Sequence, residues 1–212
     1  MSKIGIMGGT FNPIHCAHLI LAESAYEELG LDKVYFMPCK KPPHKLNENI
    51  IGDEHRVEMI KLAIQNNPHF ILSCLELERE GITYTADTLK ELTNDYPQDE
   101  FYFIMGADSL FHIEEWYNIE QIFQLSIIVA AIRDHASYEA IKAQIKHLKD
   151  HFNARIHLLH TPNMDISSKM IRQYIKEGKS IRYYVPDPIF DYISSHSLYK
   201  ETKENNLEKV LR

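Results

Sequence analysis

Cysteine is scarce in these 212 residues. Cys16, Cys39 and Cys74 are odd in number, widely spaced and never arranged as CxxC, so neither a disulfide framework nor a thiolate metal site is indicated. They read as isolated reduced thiols. Long apolar runs are missing too: none approaches the roughly 20 residues a membrane helix needs. The opening MSKIGIMGG lacks the apolar core and small-residue cleavage site of a signal peptide. A soluble, cytoplasmic protein with no membrane partner is expected. A basic excess is also absent. Thirty acidic residues against 23 Lys and Arg leave a net charge of -7, which argues against a general nucleic-acid partner. A small phosphorylated ligand stays open, because a local basic cluster focuses field inside an acidic protein. There is no internal repeat, low-complexity tract or domain-separating linker. One domain over residues 1–199 is expected, followed by a charged tail, residues 200–212, that frays or packs weakly.

What is present is a hydrophobic fraction of 44%, enough to close a sizeable core, distributed as short apolar runs that alternate with amphipathic stretches. Strands are expected at 3–7, 33–38, 70–77, 100–105, 126–132 and 155–160. Helices are expected at about 17–29, 53–66, 86–95, 138–152, 167–176 and 187–194. This alternation predicts an α/β fold: an open, doubly wound, mainly parallel sheet.

In such a sheet, ligands bind beyond the carboxyl ends of the strands. Gly8 and Gly9 stand there after the first strand. Lacking Cβ atoms, they let the backbone approach an anion, while the N-terminus of the next helix favours phosphate. A tight strand-to-helix turn with no ligand explains the same glycines. His15 and His18 follow at a helix start, where positions i and i+3 share a face. The spacing alone is weak evidence, since with 12 histidines in 212 residues roughly 0.7 such pairs are expected by chance. His157 and His160 repeat it in a strand, where the two side chains point to opposite faces. Zinc ligation by His15 and His18 would need a third ligand, and no recognisable spacing supplies one. Hydrogen bonding of both imidazoles to phosphates over the helix end uses the glycines and the histidines together.

The stretch GGTFNPIHCAHL (8–19) resembles the phosphate-binding signature of the nucleotidyltransferase superfamily with the H-x-G-H motif, in its bacterial nicotinate-nucleotide adenylyltransferase form. FMPCKKPPHK (36–45), HRVEM (55–59), EREGITYT (78–85), MGADS (105–109), EEWY (114–117) and ISSKMIR (166–172) resemble the family's remaining segments in order. Together they span residues 3 to about 195. There are three departures: Asn12 where aspartate is frequent, Ala17 in place of the glycine between the histidines, and Lys169 where Thr or Ser is common.

The resemblance implies a Rossmann-like nucleotidyltransferase fold and the joining of ATP to nicotinate mononucleotide, giving nicotinate adenine dinucleotide and pyrophosphate. His15, His18 and Arg172 would be the catalytic residues. ATP would be bound by Gly8, Gly9, Thr10, Phe11, His15, His18, Gly106, Asp108, Ile166, Ser167, Ser168 and Arg172. The mononucleotide would be bound by Asn12, His44, Lys45, Thr85, Trp116 and Tyr117, its ring lying against Trp116 and its carboxylate meeting backbone N–H groups near Thr85 and Tyr117. Mg²⁺ would come with ATP, largely hydrated, and no protein metal site is implied. Arg56 could help hold the phosphate, or pair with Glu58 or Asp53.

These segments also have bland readings. ISS is an ordinary helix cap, KKPPHK a stiff solvated loop, MGADS an N-cap for a short helix, and Trp116 a partly buried packing residue. Other adenylyl acceptors, nicotinamide mononucleotide or phosphopantetheine, share the glycine-histidine turn, but EREGITYT and EEWY belong to the pyridine site. The length leaves no room for the tRNA-binding domain of a synthetase. An inactive nucleotide-binding regulator and a zinc hydrolase are the readings from other classes, and a homo-oligomer is possible.

Overall fold

The computed structural model describes residues 1–40, 50–131, 138–162 and 164–200, with the side chains of Ala107 and Asp108 also left undescribed. Strands β1 (Lys3–Gly9), β2 (Lys33–Pro38), β3 (Phe70–Leu72), β4 (Glu100–Gly106), β5 (Ser126–Ala131) and β6 (Ile156–Leu159) form one sheet in the order β3-β2-β1-β4-β5-β6. All five neighbouring pairs are parallel. Strand order reverses between β1 and β4, so the crevice beyond their carboxyl ends is the switch point where such sheets bind ligands.

The alternation along each strand sorts the core into two layers. Val34 and Phe36 of β2, Tyr102 and Ile104 of β4, and Val129 and Ala131 of β5 face one side. There they pack on α1 (Cys16–Leu29), α2 (Asp53–Ile64), α8 (Ser168–Lys176) and α9 (Asp187–Ser195), through residues such as Ala22, Ala25, Met59, Ile60, Ile171 and Ile189. Ile4 and Ile6 of β1, Phe101 and Phe103 of β4, and Ile128 of β5 face the other. They meet α4 (Thr85–Asp95), α6 (Ile119–Leu125) and α7 (Tyr138–Phe152) through Leu89, Leu92, Phe123 and Leu148. The expected doubly wound α/β arrangement is what forms. No helix among the described residues is long and apolar enough to cross a membrane.

The expected strand over 70–77 needs correcting. It ends at Leu72, and Leu75–Glu78 make a single helical turn, α3. β3 is an edge strand with only three paired residues. Beyond it Ser73 N–H still reaches Phe36 O, but Leu77 and Glu78 N–H turn back to Cys74 O. The apparent alternation of Leu75 and Leu77 loses to this local closure and to the inward bond of Glu76 with Thr88. Three short pieces fell below the reach of hydrophobic periodicity: α5 (Ala107–Leu110), the 3₁₀ turn Ile113–Glu115, and α6. The expected strand end at Ile132 lies outside the described residues.

Candidate active site

The turn between β1 and α1 stands at the switch point. Gly8 pairs with Met37 and Gly9 with Pro38, so both glycines still belong to the strand. A Cβ on Gly9 would come within 3.3 Å of the Phe11 ring. The small residue at that position lets Phe11 fold back into the core, where it is 2% exposed, at φ 48°. The ring packs on Phe36 and edge-on to His18, at centroid distances of 6.0 and 5.1 Å.

The carbonyls of this turn are held from elsewhere in the chain. Arg56 Nη1 donates to Thr10 O at 2.8 Å, Arg172 Nη1 to Asn12 O at 2.7 Å, and Ser168 Oγ to Pro13 O at 2.8 Å. Cys39 N–H donates to Gly9 O at 3.0 Å. Buried main-chain acceptors demand partners, and these four come from α2, α8 and the end of β2. Arg56 itself is wholly buried and pairs with Asp53 at 2.6 Å. The pairing with Asp53 rather than Glu58 is thus observed, with the Thr10 contact added. Arg56 occupies the inward stripe of α2 with Met59, Ile60 and Ile64, a position where an arginine in sequence already signals a buried partner.

His15 is the N-cap of α1, in extended backbone, and is 3% exposed. Its N–H donates to His18 Nδ1 at 3.2 Å, and the two rings stack at 3.7 Å. A backbone N–H can only donate, so His18 Nδ1 must be unprotonated. The ring proton of a neutral His18 is therefore on Nε2, which leaves an N–H donor at the far edge of the ring. The helix cap thus sets the tautomer. Ala17 is 6% exposed, so the methyl group that departs from the family pattern is packed. Cys16 opens α1, and burial pushes its thiol up despite a backbone hydrogen bond that lowers it. The group is a poor nucleophile.

The second helix start converges on the same turn. Ser167 caps α8 by accepting Met170 N–H at 3.2 Å, and Ser168 and Arg172 make the contacts to Pro13 and Asn12. Ile166 is half-buried just before the cap, and Lys169 is exposed. The cap reading of ISS is correct, and the same helix carries the cation to the turn.

Of the residues expected to hold the acceptor ring, Trp116 and Tyr117 each take part in an aromatic contact. Trp116 is half-buried and stands edge-on to Phe103, with centroids 5.9 Å apart. A Cβ on Gly8 would lie 3.4 Å from that same Phe103 ring. Phe103 therefore joins the first glycine to the tryptophan, a link that only its inward strand position hints at. Thr85 is the first residue of α4, and its neighbour Tyr84 packs on the exposed Tyr117 at 4.6 Å. Trp116 thus packs, partly buried, on the core through Phe103. Gly106 ends β4 at φ -72°, a conformation open to any residue. His44 and Lys45 lie outside the described residues, as does the Asp108 side chain. Among the described residues no group of three or more His, Cys, Asp or Glu is placed to hold a metal ion.

Two residues that touch the turn were not foreseen. Cys39 Sγ is 3.7 Å from Thr10 Oγ1, and Tyr199 Oη donates to Asn12 Oδ1 at 2.9 Å. Cys39 lies in the FMPCKKPPHK segment and Tyr199 in none of the quoted segments, and for both the contact with the turn exists only through the fold.

A family model described as cytidylyltransferase-like matches residues 6–174. A relative from Lachnoclostridium phytofermentans, named a probable nicotinate-nucleotide adenylyltransferase, is 50% identical over 94% of this chain and 100% of its own. The nicotinate-nucleotide adenylyltransferase of Bacillus subtilis is 39% identical over 94% of this chain and 100% of its own. A solved nicotinic acid mononucleotide adenylyltransferase of Plasmodium falciparum, complexed with NaAD, shares the fold at a TM-score of 0.77 and 24% identity, covering 94% of this chain and 98% of that one. Matched over residues 6–174 by the family model and over 94% of its length by these relatives, the chain belongs to the nicotinate-nucleotide adenylyltransferases, within the cytidylyltransferase-like group.

Proposed function

We propose that this chain transfers the adenylyl group of ATP to nicotinate mononucleotide, releasing pyrophosphate and forming nicotinate adenine dinucleotide, as a cytoplasmic step of NAD biosynthesis. The observation that carries the reading is the convergence of α1 and α8 on one strapped turn at the switch point, in a chain 50% identical to a relative of that name. Helix N-termini and a guanidinium suit polyphosphate.

In the reaction, an oxygen of the mononucleotide phosphate bonds to the α-phosphorus of ATP, and the bond from that phosphorus to the bridging oxygen breaks. The electron pair leaves with pyrophosphate. A phosphate monoester, with a second pKa of about 6, is mostly dianionic at pH 7 and needs no general base. The protein's work is then alignment and charge stabilisation. His15 and His18 donate to α- and β-phosphate oxygens, His18 from Nε2. Arg172 with Ser167 and Ser168 holds the departing β- and γ-phosphates, and Gly8, Gly9, Thr10 and Phe11 give the backbone that lies along them. Gly106, Asp108 and Ile166 border the nucleoside. Asn12, His44 and Lys45 hold the acceptor phosphate, while Trp116, Thr85 and Tyr117 hold its ring and carboxylate. Mg²⁺ carried on ATP would supply neutralisation of the charge that develops on the departing pyrophosphate.

The test is pyrophosphate release from ATP and Mg²⁺ with nicotinate mononucleotide and, separately, nicotinamide mononucleotide. Release with the acid alone is expected. Release with the amide alone would keep the chemistry and overturn the acceptor assignment, and silence with both would leave a nucleotide-binding protein without turnover.

A further inference from the structure

Beyond α9 the chain turns back on itself with Ser197 and Tyr199 in the left-handed region, at φ 51° and 64°. L-residues enter that region at a cost and stay there when the surroundings require it. The path delivers the Tyr199 ring to the turn between β1 and α1, 187 positions away in sequence. Asn12, 2% exposed, is gripped there on both of its oxygens: Arg172 Nη1 donates to the main-chain O and Tyr199 Oη to Oδ1. The donation to Oδ1 decides which way the amide faces, turning its NH₂ away from Tyr199. Burial raises the phenol's pKa, opposed by the charges of Arg172 and Arg56. The hydroxyl therefore keeps its proton, and its donor role, through the physiological range. The residue so held lies three positions before the His15 cap, in the loop whose other carbonyls are taken by Arg56 and Ser168.

We propose that Tyr199 is a positioning residue for adenylyl transfer, holding Asn12 and the turn that carries His15 and His18 from the carboxyl-terminal end of the chain; this rests on the proposed function. Tyr199 touches no reacting atom. It acts through Asn12, so its effect belongs to the alignment of the transition state rather than to substrate affinity.

Tyr199→Phe keeps the ring and removes only the donated bond. The expected result is a kcat lower by about 10-fold, since a misplacement of about 1 Å can cost up to 10²-fold, with KM for ATP nearly unchanged. The melting temperature should fall by no more than about 2–4 °C. Because the effect passes through Asn12, Tyr199→Phe should add nothing in an Asn12→Ala background. A lowered melting temperature with unchanged kcat would make Tyr199 merely structural, and additive losses in the double variant would break the route through Asn12. Either overturns the proposal. If the wild type releases no pyrophosphate with either acceptor, the proposed function has failed and the positioning role falls with it, an outcome distinct from a wild type that turns over and a Tyr199→Phe variant that matches its kcat.

Discussion

At the turn between β1 and α1, where the proposed function would put the phosphates, a loop is held by cations and hydroxyls that donate to its carbonyls, and a 14-residue helix begins on a histidine cap. Where the proposed function would put the acceptor ring, the order comes from different materials. β4 passes directly into a four-residue helix, an aromatic pair and a single tryptophan line the surface, and a buried carboxylate, Glu76, ties α3 to α4. The difference follows from the ligands each side would meet. A polyphosphate demands fixed N–H donors and positive charge, which lose strength if they must reorganise at the moment of reaction. A pyridine ring demands a flat apolar wall and a rigid edge of backbone N–H groups, which stacking and a firmly seated helix start provide. Under the proposed function, alignment would be concentrated at the turn between β1 and α1 and recognition at the aromatic contacts around Trp116 and Tyr117.

The sharpest way to break this contrast is His18→Ala. It removes the Nε2 donor and should lower kcat by about 10²-fold or more, as for other lost transition-state donors. It also removes the acceptor for the His15 N–H, so a stability loss of about 1 kcal/mol, typical of a lost cap, should accompany it. Steady-state kinetics beside thermal melts separates the two. A folded variant with unchanged turnover would take the histidines out of the mechanism.

Trp116→Ala should strike the other side. A lost ring contact contributes about 0.5–1.5 kcal/mol beyond area burial, so KM for the mononucleotide should rise about 10-fold while that for ATP stays nearly constant. Equal losses for both substrates would mean that the contact with Phe103 matters only for packing.

How far the two sides were legible in the sequence also differs. The phosphate side was readable because its groups are consecutive: Gly8 through His18 form one strand-turn-helix passage, and ISSKMIR announces its cap with Ser167. The sheet followed from short continuous apolar runs such as FYFIM in β4, which is buried on both faces. What could not be read were contacts between distant segments. Tyr199 to Asn12, Phe103 between Gly8 and Trp116, and Arg56 to Thr10 are settled by how the layers close. Short elements fared worst: α3 looked like a continuing strand, because over four residues alternation and a helical turn are indistinguishable.

The smallest expected effect concerns the buried acid beneath the acceptor side. Glu76 is 8% exposed and accepts from Thr88 Oγ1 at 2.8 Å. Arg79 Nη1 donates to that same hydroxyl at 3.1 Å, and its guanidinium also pairs with Glu91. Burial pushes the Glu76 carboxyl above its usual range, with the Thr88 hydrogen bond and the Arg79 charge pulling it back. The folded state therefore holds this proton more tightly than the unfolded chain. Its contribution to stability is full at pH below the unfolded pKa and is lost as pH rises through the folded one. Glu76→Gln keeps an acceptor for Thr88 and removes the titration. Measured by denaturant unfolding at a series of pH values, the variant should gain on the wild type between acid and neutral pH, with kcat nearly unchanged, since the carboxyl is buried against Thr88 of α4. Parallel stability curves for the two proteins would mean that the network tolerates the charge without cost, and that α4 is seated by its apolar face alone.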